Sequence, residues 1–553
     1  MPLPQPEQSS SQPEAPPRAE IPTPASPKKP SMPRRDQPRP ISSSLAPLKA
    51  ENWGYDQARH LLWRAGFGGS PAQIRTLVSW GPKKAVDHIV DFDDVPFEKV
   101  EATAFDRNIM RPATDEERAE IARARRAGDE DAVARLRAMR QEAERVDRQQ
   151  MREIQRWWLK RMIETPRPLE EKMTLFWHGH FATSYRTIED SYHMFMQNQS
   201  FRRHAAGNFG KLLYEIIRDP AMIAYLDNND SRKGRPNENL ARELMELFSL
   251  GVGNYTEQDI KEGARALTGY SFYDDEFTFQ KNNHDTGEKR ILGRSGQLDG
   301  DDFVSAILRK PACARYIAGK LYRFFVADVP TGRPEIDKPA ESVVRRLAST
   351  LVANRYEVKP VLRRLFLSEH FYEQALMREQ VKSPAELVVG AVRSLRTPTR
   401  DLGVLADAMN LMGQNLFYPP SVKGWDGGRT WINTATLFIR QNILCFLLTG
   451  KTPSGFDALA RTERYDAAGF LAGLDPSGDR QAGSASPFTT SNPSEDDLGL
   501  VIDEMLRFTL GAATPTNRDT LARHFASRGN RIDEESVVGA LLLITAMPEY
   551  QLC

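Results

Sequence analysis

A polar loop that runs straight into an amphipathic helix constrains this chain more than any other stretch. It spans Tyr225 to Gly251, YLDNNDSRKGRPNENLARELMELFSLG. The loop is rich in Asp, Asn, Gly and basic residues, and Pro236 precedes Asn237, a side chain suited to cap a helix. Leu240, Leu244 and Leu247 then recur at i, i+4, i+7, with Ala241 and Phe248 beside them, which is a core-facing stripe at helical period. On the other side Asn239, Arg242, Glu243 and Glu246 share one narrow face, with Met245 near its edge. Gly251 and Gly253 supply a stop. The polar face has two readings. It is a solvated surface with an Arg242–Glu246 pair contributing about 0.3 kcal/mol, or it lines a polar pocket.

The rest of the chain offers a body large enough to hold such a pocket. Its 553 residues suffice for two or three domains or one large elaborated one, and a net charge of +1 gives no reason to expect a nucleic-acid partner. Cys313, Cys445 and Cys553 lie far apart and form no CxxC pair, which disfavours a disulfide framework and a thiolate zinc site. No apolar run reaches the roughly 18 residues of a membrane span. The N-terminus lacks the apolar stretch of a signal peptide, so the chain as given reads as cytoplasmic.

Composition divides the chain. Residues 1–48 are dominated by Pro, Ser, Gln and charged groups and read as a disordered tail, because they bury too little to offset their ordering entropy. Residues 49–451 form the main helical domain. Residues 452–496 are poor in large apolar groups and read as a flexible linker or loop, and residues 497–553 as helices packing on the main domain. The expected class is mainly α, a large multi-helix domain with long ordered loops and a short hairpin within residues 270–292, turned at HDTG. Residues 114–164 are helical and strongly charged, with Gly128 breaking the run, and read as a solvated helix or helical hairpin.

Three further stretches carry chemistry. PLEEKMTLFWHGH reads as a helix begun at Pro168 that delivers His178 and His180 near its end, with Gly179 suited to breaking it there. In the polar loop Asp227, Asn229, Ser231 and Glu238 occupy calcium-loop positions, but Arg232 stands where an EF-hand requires Gly. His284 and Asp285 form a His-Asp pair that could orient an imidazole or make an Asx turn. In PPSVKGWDGGRTWIN, Lys423, Trp425 and Trp431 lie in or beside a Gly-rich loop. There the aromatics could stack a sugar ring or wedge the loop onto the core.

FWHGHFATS, LDNNDSRKGRPNENLARELMELFSLGVGNYTEQDI, ARALTGY, HDTGEKRILG, PPSVKGWDGGRTWIN and the LLLITAMPEYQ ending, in that order, resemble the bacterial domain of unknown function 1800 across roughly residues 53–552. The resemblance implies no assigned activity. It implies an exported location for many members and a sulfatase-like companion protein, whereas this chain carries a Pro-rich tail in place of an export signal.

Two functional expectations follow. In the first, a hydrolase-like enzyme acts on a small molecule or glycan. His178, His180, Asp227, Glu238, His284 and Asp285 hold a divalent metal such as zinc, manganese or iron. Glu243 or Glu246 is the general base, Arg242 stabilises a developing anion, and His180 assists. Asn239, Lys423, Trp425 and Trp431 bind substrate. A metal-free form would use the paired carboxylates on a glycan. In the second, the chain is a non-catalytic binding or assembly protein, and the same residues form a structural hydrogen-bond and ion-pair network.

Overall fold

Helix capping organises the chain from its first elements. A computed structural model describes residues 40–97, 104–451, 463–476 and 486–553. The described part holds 22 α-helices and two two-stranded antiparallel hairpins, so the protein is mainly α. Ser70 and Gln73 make a capping box ahead of the helix Pro71–Val90. Gly81, at φ 74°, kinks that helix just before Pro82. Thr114 and Glu117 cap Asp115–Ala127, and Gly128 closes it in the left-handed region at φ 66°. The chain turns back into the 35-residue helix Glu130–Glu164. That long helix is solvated in its first half and buried towards its end, where Met151, Ile154, Trp158, Leu159 and Met162 are fully covered.

The helix Pro168–His180 is buried on every side. Leu169, Met173, Phe176 and Trp177 face one part of the core, and Glu171, Leu175 and His178 another. Each fully buried Leu or Phe is worth about 2 kcal/mol. Around it pack the helices Ser191–Arg203, Phe209–Ile216 and Pro311–Phe325, through aromatic contacts such as Trp177–Phe209 and Phe176–Phe324.

Two sequence readings are corrected here. The helix does not break at Gly179 but runs on to His180, so His178 and His180 point to different sides. The Trp425 ring and the Gly424 backbone lie against Gly179 instead, and the tight approach is at Gly424, where a Cβ would strike the Gly179 carbonyl. The region 270–296 holds two hairpins rather than one. Tyr270–Tyr273 pairs with Glu276–Phe279 across a turn in which Asp274 takes φ 54°. Lys289–Ile291 pairs with Arg294–Gly296 across Leu292 and Gly293, at φ 51° and 88°. Two successive left-handed residues match the twist of a tight hairpin, and HDTG is left as the connector between the two.

At the N-terminal edge, residues 41–48 lie against the body. Leu45 is buried, the Leu48 amide donates to the Leu367 carbonyl at 2.7 Å, and the Glu369 and His370 amides bond to the Ala46 and Ser44 carbonyls. In the segment 452–496, the helix Ala467–Leu474 buries Phe470 and Leu471 against its surroundings. The expectations for residues 1–39, 452–462 and 477–485 fall outside the described residues. Among the described residues, no helix is long and apolar enough to cross a membrane.

Candidate functional site

Three motif segments meet at the end of the helix Pro168–His180. The Phe417 amide donates to His178 Nε2 at 3.0 Å. An amide can only donate there, so Nε2 is the unprotonated nitrogen and the ring carries its proton on Nδ1. His180 Nε2 bonds to the Phe248 carbonyl at 3.0 Å, and a carbonyl can only accept, so this ring is protonated on Nε2. The two imidazoles are therefore neutral opposite tautomers. One fastens the loop that precedes PPSVKGW, and the other fastens the end of the NENLARELMELF helix. Both are buried, and burial lowers each to a pKa of about 3; Lys320 adds to the effect at His180.

Aromatic rings enclose this clasp. His178 sits against Trp158, Phe417 and Trp425, with centroids 5.3, 5.3 and 5.5 Å away. His180 sits among Phe176, Phe181, Phe248 and Tyr316. Its Nδ1 is buried with no partner.

The same helix carries a buried ionic layer that sequence reading passed over. Glu171 is fully buried. It accepts from Trp158 Nε1 at 2.9 Å, from Arg202 at 2.8 and 2.9 Å, and from Arg161. Burial pushes its carboxyl up, but the two guanidiniums outweigh that and hold it below the usual range. Lys172, one residue on, pairs with Glu386 and donates to the Gly66 carbonyl at 3.0 Å. A signal was available in the sequence: Leu169, Met173, Leu175, Phe176 and Trp177 leave this helix no solvated face, so its charges had to be paired.

The helix Asn239–Glu246 buries Leu240, Ala241, Leu244 and Met245 and presents its polar face outward. Glu238 stands at the cap position without a capping bond. Asn237 instead accepts from the Asn239 amide at 2.9 Å and ties back to the Asp227 carbonyl at 3.0 Å. Arg242 does not pair with Glu246. It reaches Glu238 at 3.2 Å and Glu257 at 3.0 Å. Glu246 accepts from the Tyr255 hydroxyl at 2.7 Å. Glu243 is half-buried, has no bonded partner among the described residues, and is raised above the usual carboxylate range by burial and by Glu246. Tyr225 and Tyr316 lie close enough to feel its charge. Behind Tyr316 lies Lys320, which burial, Arg323 and Lys423 lower to about 8.

The proposed metal ligands are dispersed. Asp227 is a left-handed residue, φ 54°, leading into a 3-10 turn, and Glu238 is held by Arg242. The remaining calcium-loop positions are taken: Asn229 accepts from Ser271 Oγ and the Phe272 amide, and Ser231 Oγ accepts from the Asn237 amide. His284 Nδ1 donates to the Thr268 carbonyl at 2.8 Å. Asp285 is clamped by Arg265 at 2.9 and 3.1 Å, which lowers it to about 2. Among the described residues, no three His, Cys, Asp or Glu side chains stand together as a metal cage. Of the proposed substrate contacts, Asn239 is exposed, Lys423 is exposed and paired with Asp426 at 2.6 Å, Trp425 covers Gly179, and Trp431 is buried.

Fold and geometry together define a mainly helical protein whose motif segments are joined through two neutral histidines. Over residues 60–552 the chain matches the family described as "Protein of unknown function (DUF1800)", and it belongs to that family. No curated protein and no solved structure matches it.

Proposed function

We propose that this chain acts by binding or assembly, with the histidines and buried charges serving the scaffold rather than a metal-dependent hydrolysis. The observation that carries this reading is the commitment of His178 and His180. Each uses Nε2 on the backbone of a different motif segment, and neither shares a bonded partner with Glu243, Glu246 or His284. The ligand-facing part is the outer side of the helix Asn239–Glu246, where Glu243 is unpaired and Tyr225, Tyr255 and Tyr316 stand around the two carboxylates. Phenols beside carboxylates suit a polyhydroxylated small molecule or glycan, through hydroxyl hydrogen bonds and ring contact. A protein partner of the sulfatase-like class implied by the family resemblance is the assembly form of the same reading.

A second reading rests on one observation, the raised and unpaired Glu243 beside Glu246. Two carboxylates kept at different protonation states are the requirement for metal-free glycoside chemistry. Metal content by mass spectrometry on wild type, His180→Ala and Glu243→Ala tests the main reading. The expected result is no stoichiometric metal, a destabilised His180→Ala and a folded Glu243→Ala. About one equivalent of a transition metal in wild type, lost in both variants, would overturn it. Hydrolysis of a glycan by wild type but not by Glu243→Gln would establish the second reading.

A further inference from the structure

A cavity lies away from this clasp, between the helix Tyr55–Arg64, the turn around Arg378 and the junction of the helices Glu495–Leu510 and Pro515–Ala526. Its volume is about 1000 Å³. Arg59, His60 and Trp63 form one wall, Tyr372 and Arg378 another, and the loop Gly511–Pro515 a third. A cavity of this size holds a small molecule.

Its charges sort into engaged and free. Asp56 is held by Arg507 at 3.0 Å, Asp503 by Arg518 at 2.9 Å and Asp519 by Arg523 at 3.0 Å, while Glu504 lies 3.9 Å from Arg507. Among the described residues, neither Arg59 nor Arg378 makes an ion pair, although Asp56 and Cys553 in the same lining attract Arg59 at longer range. Arg59 is more than nine-tenths buried. Its Nε and Nη2 donate to the carbonyls of Phe508 and Thr509 at 2.5 and 2.6 Å, which satisfies the C-terminal end of that helix and leaves Nη1 unbonded beside Gly511. The Arg378 side chain reaches the same glycine. Its backbone is held at φ 91°, a conformation that costs a non-glycine residue about 1–3 kcal/mol. Arg59 Nη1 and the half-exposed Arg378 side chain thus flank one glycine on the cavity wall.

We propose that this cavity is a binding site for a small-molecule oxyanion, an organic phosphate or carboxylate gripped between Arg59 and Arg378. An anion placed there accepts from Arg59 Nη1 and from the Arg378 fork, neutralises two cations of one wall, and forms charge-assisted bonds stronger than neutral ones. The walls of Trp63 and Tyr372 cover the organic part of the ligand. This inference is independent of the scaffold reading above.

Thermal unfolding of the full chain with inorganic phosphate and with citrate, each against chloride at matched ionic strength, is the test. Arg378→Gly is the informative variant, because glycine adopts φ 91° without strain and the fold is retained while the guanidinium is removed. Arg378→Glu places a like charge against the ligand. The expected result is stabilisation of wild type by at least one anion below about 10 mM, weakened at least about tenfold in Arg378→Gly and abolished in Arg378→Glu. The more effective anion tells phosphate from carboxylate. No stabilisation of wild type by either, or equal stabilisation in the folded variants, would overturn the site.

Discussion

Gly424 and Gly179 meet backbone to backbone: a Cβ on Gly424 would stand 2.2 Å from the Gly179 carbonyl oxygen. Gly424 also takes φ 82°. The PPSVKGW loop reaches the end of the helix Pro168–His180 only because Gly424 has no side chain in the gap. Gly424→Ala is therefore expected to lower stability by about 2–4 kcal/mol, from overpacking and a strained left-handed backbone together. Urea denaturation reads this directly, and a loss below about 0.5 kcal/mol would mean that the loop swings away at little cost.

His178 and His180 predict a pH dependence with a definite sign. Both have folded pKa values near 3, below the unfolded value of about 6.5. The unfolded chain therefore binds more protons between those limits. Stability is full above about pH 6.5 and falls as pH drops towards 3, with a slope of up to about 2.7 kcal/mol per pH unit from two sites. His178→Gln removes one site and should flatten the slope by up to about half. Denaturant midpoints measured from pH 7 to pH 4 give the comparison, and an unchanged slope would show that His178 titrates normally.

Glu171 holds two guanidiniums and an indole in the core. Glu171→Ala leaves the buried Arg202 without a carboxylate and Arg161 with Glu170 alone, and is expected to cost about 3–5 kcal/mol. Glu171→Gln keeps the shape but not the charge and should fall between that variant and wild type. A pair of equilibrium unfolding curves is enough. Near-neutral behaviour in Glu171→Ala would mean that water enters to solvate the arginines.

Glu243 should behave in the opposite manner. Its folded pKa is raised, so the native state holds its proton to higher pH than the unfolded chain does, and the group lowers stability once ionised. Glu243→Gln is expected to leave stability within about 1 kcal/mol of wild type, or slightly higher at neutral pH. Ligand binding, followed by titration calorimetry, is where this variant should lose. A strongly destabilised Glu243→Gln would make it part of the scaffold after all.

Local chemistry was legible from residue order alone wherever neighbours in sequence decide the outcome. The capping boxes at Ser70 and Thr114 and the buried stripe Leu240–Leu244 depend on side chains three or four positions apart, and the left-handed stop at Gly128 on that residue alone. What depends on distant partners was decided by the tertiary structure. A histidine at i, i+2 from another does not reveal that Phe417 and Phe248 will claim one nitrogen of each. Nor do Arg242 and Glu246, at ideal helical spacing, reveal that Glu257 and Tyr255 offer better-placed partners. Arg202 at Glu171, Glu386 at Lys172 and Gly424 at Gly179 are contacts between segments more than 30 residues apart that meet in the core. Pairing there is set by which groups lose water together, a property of the packed whole and of no single stretch.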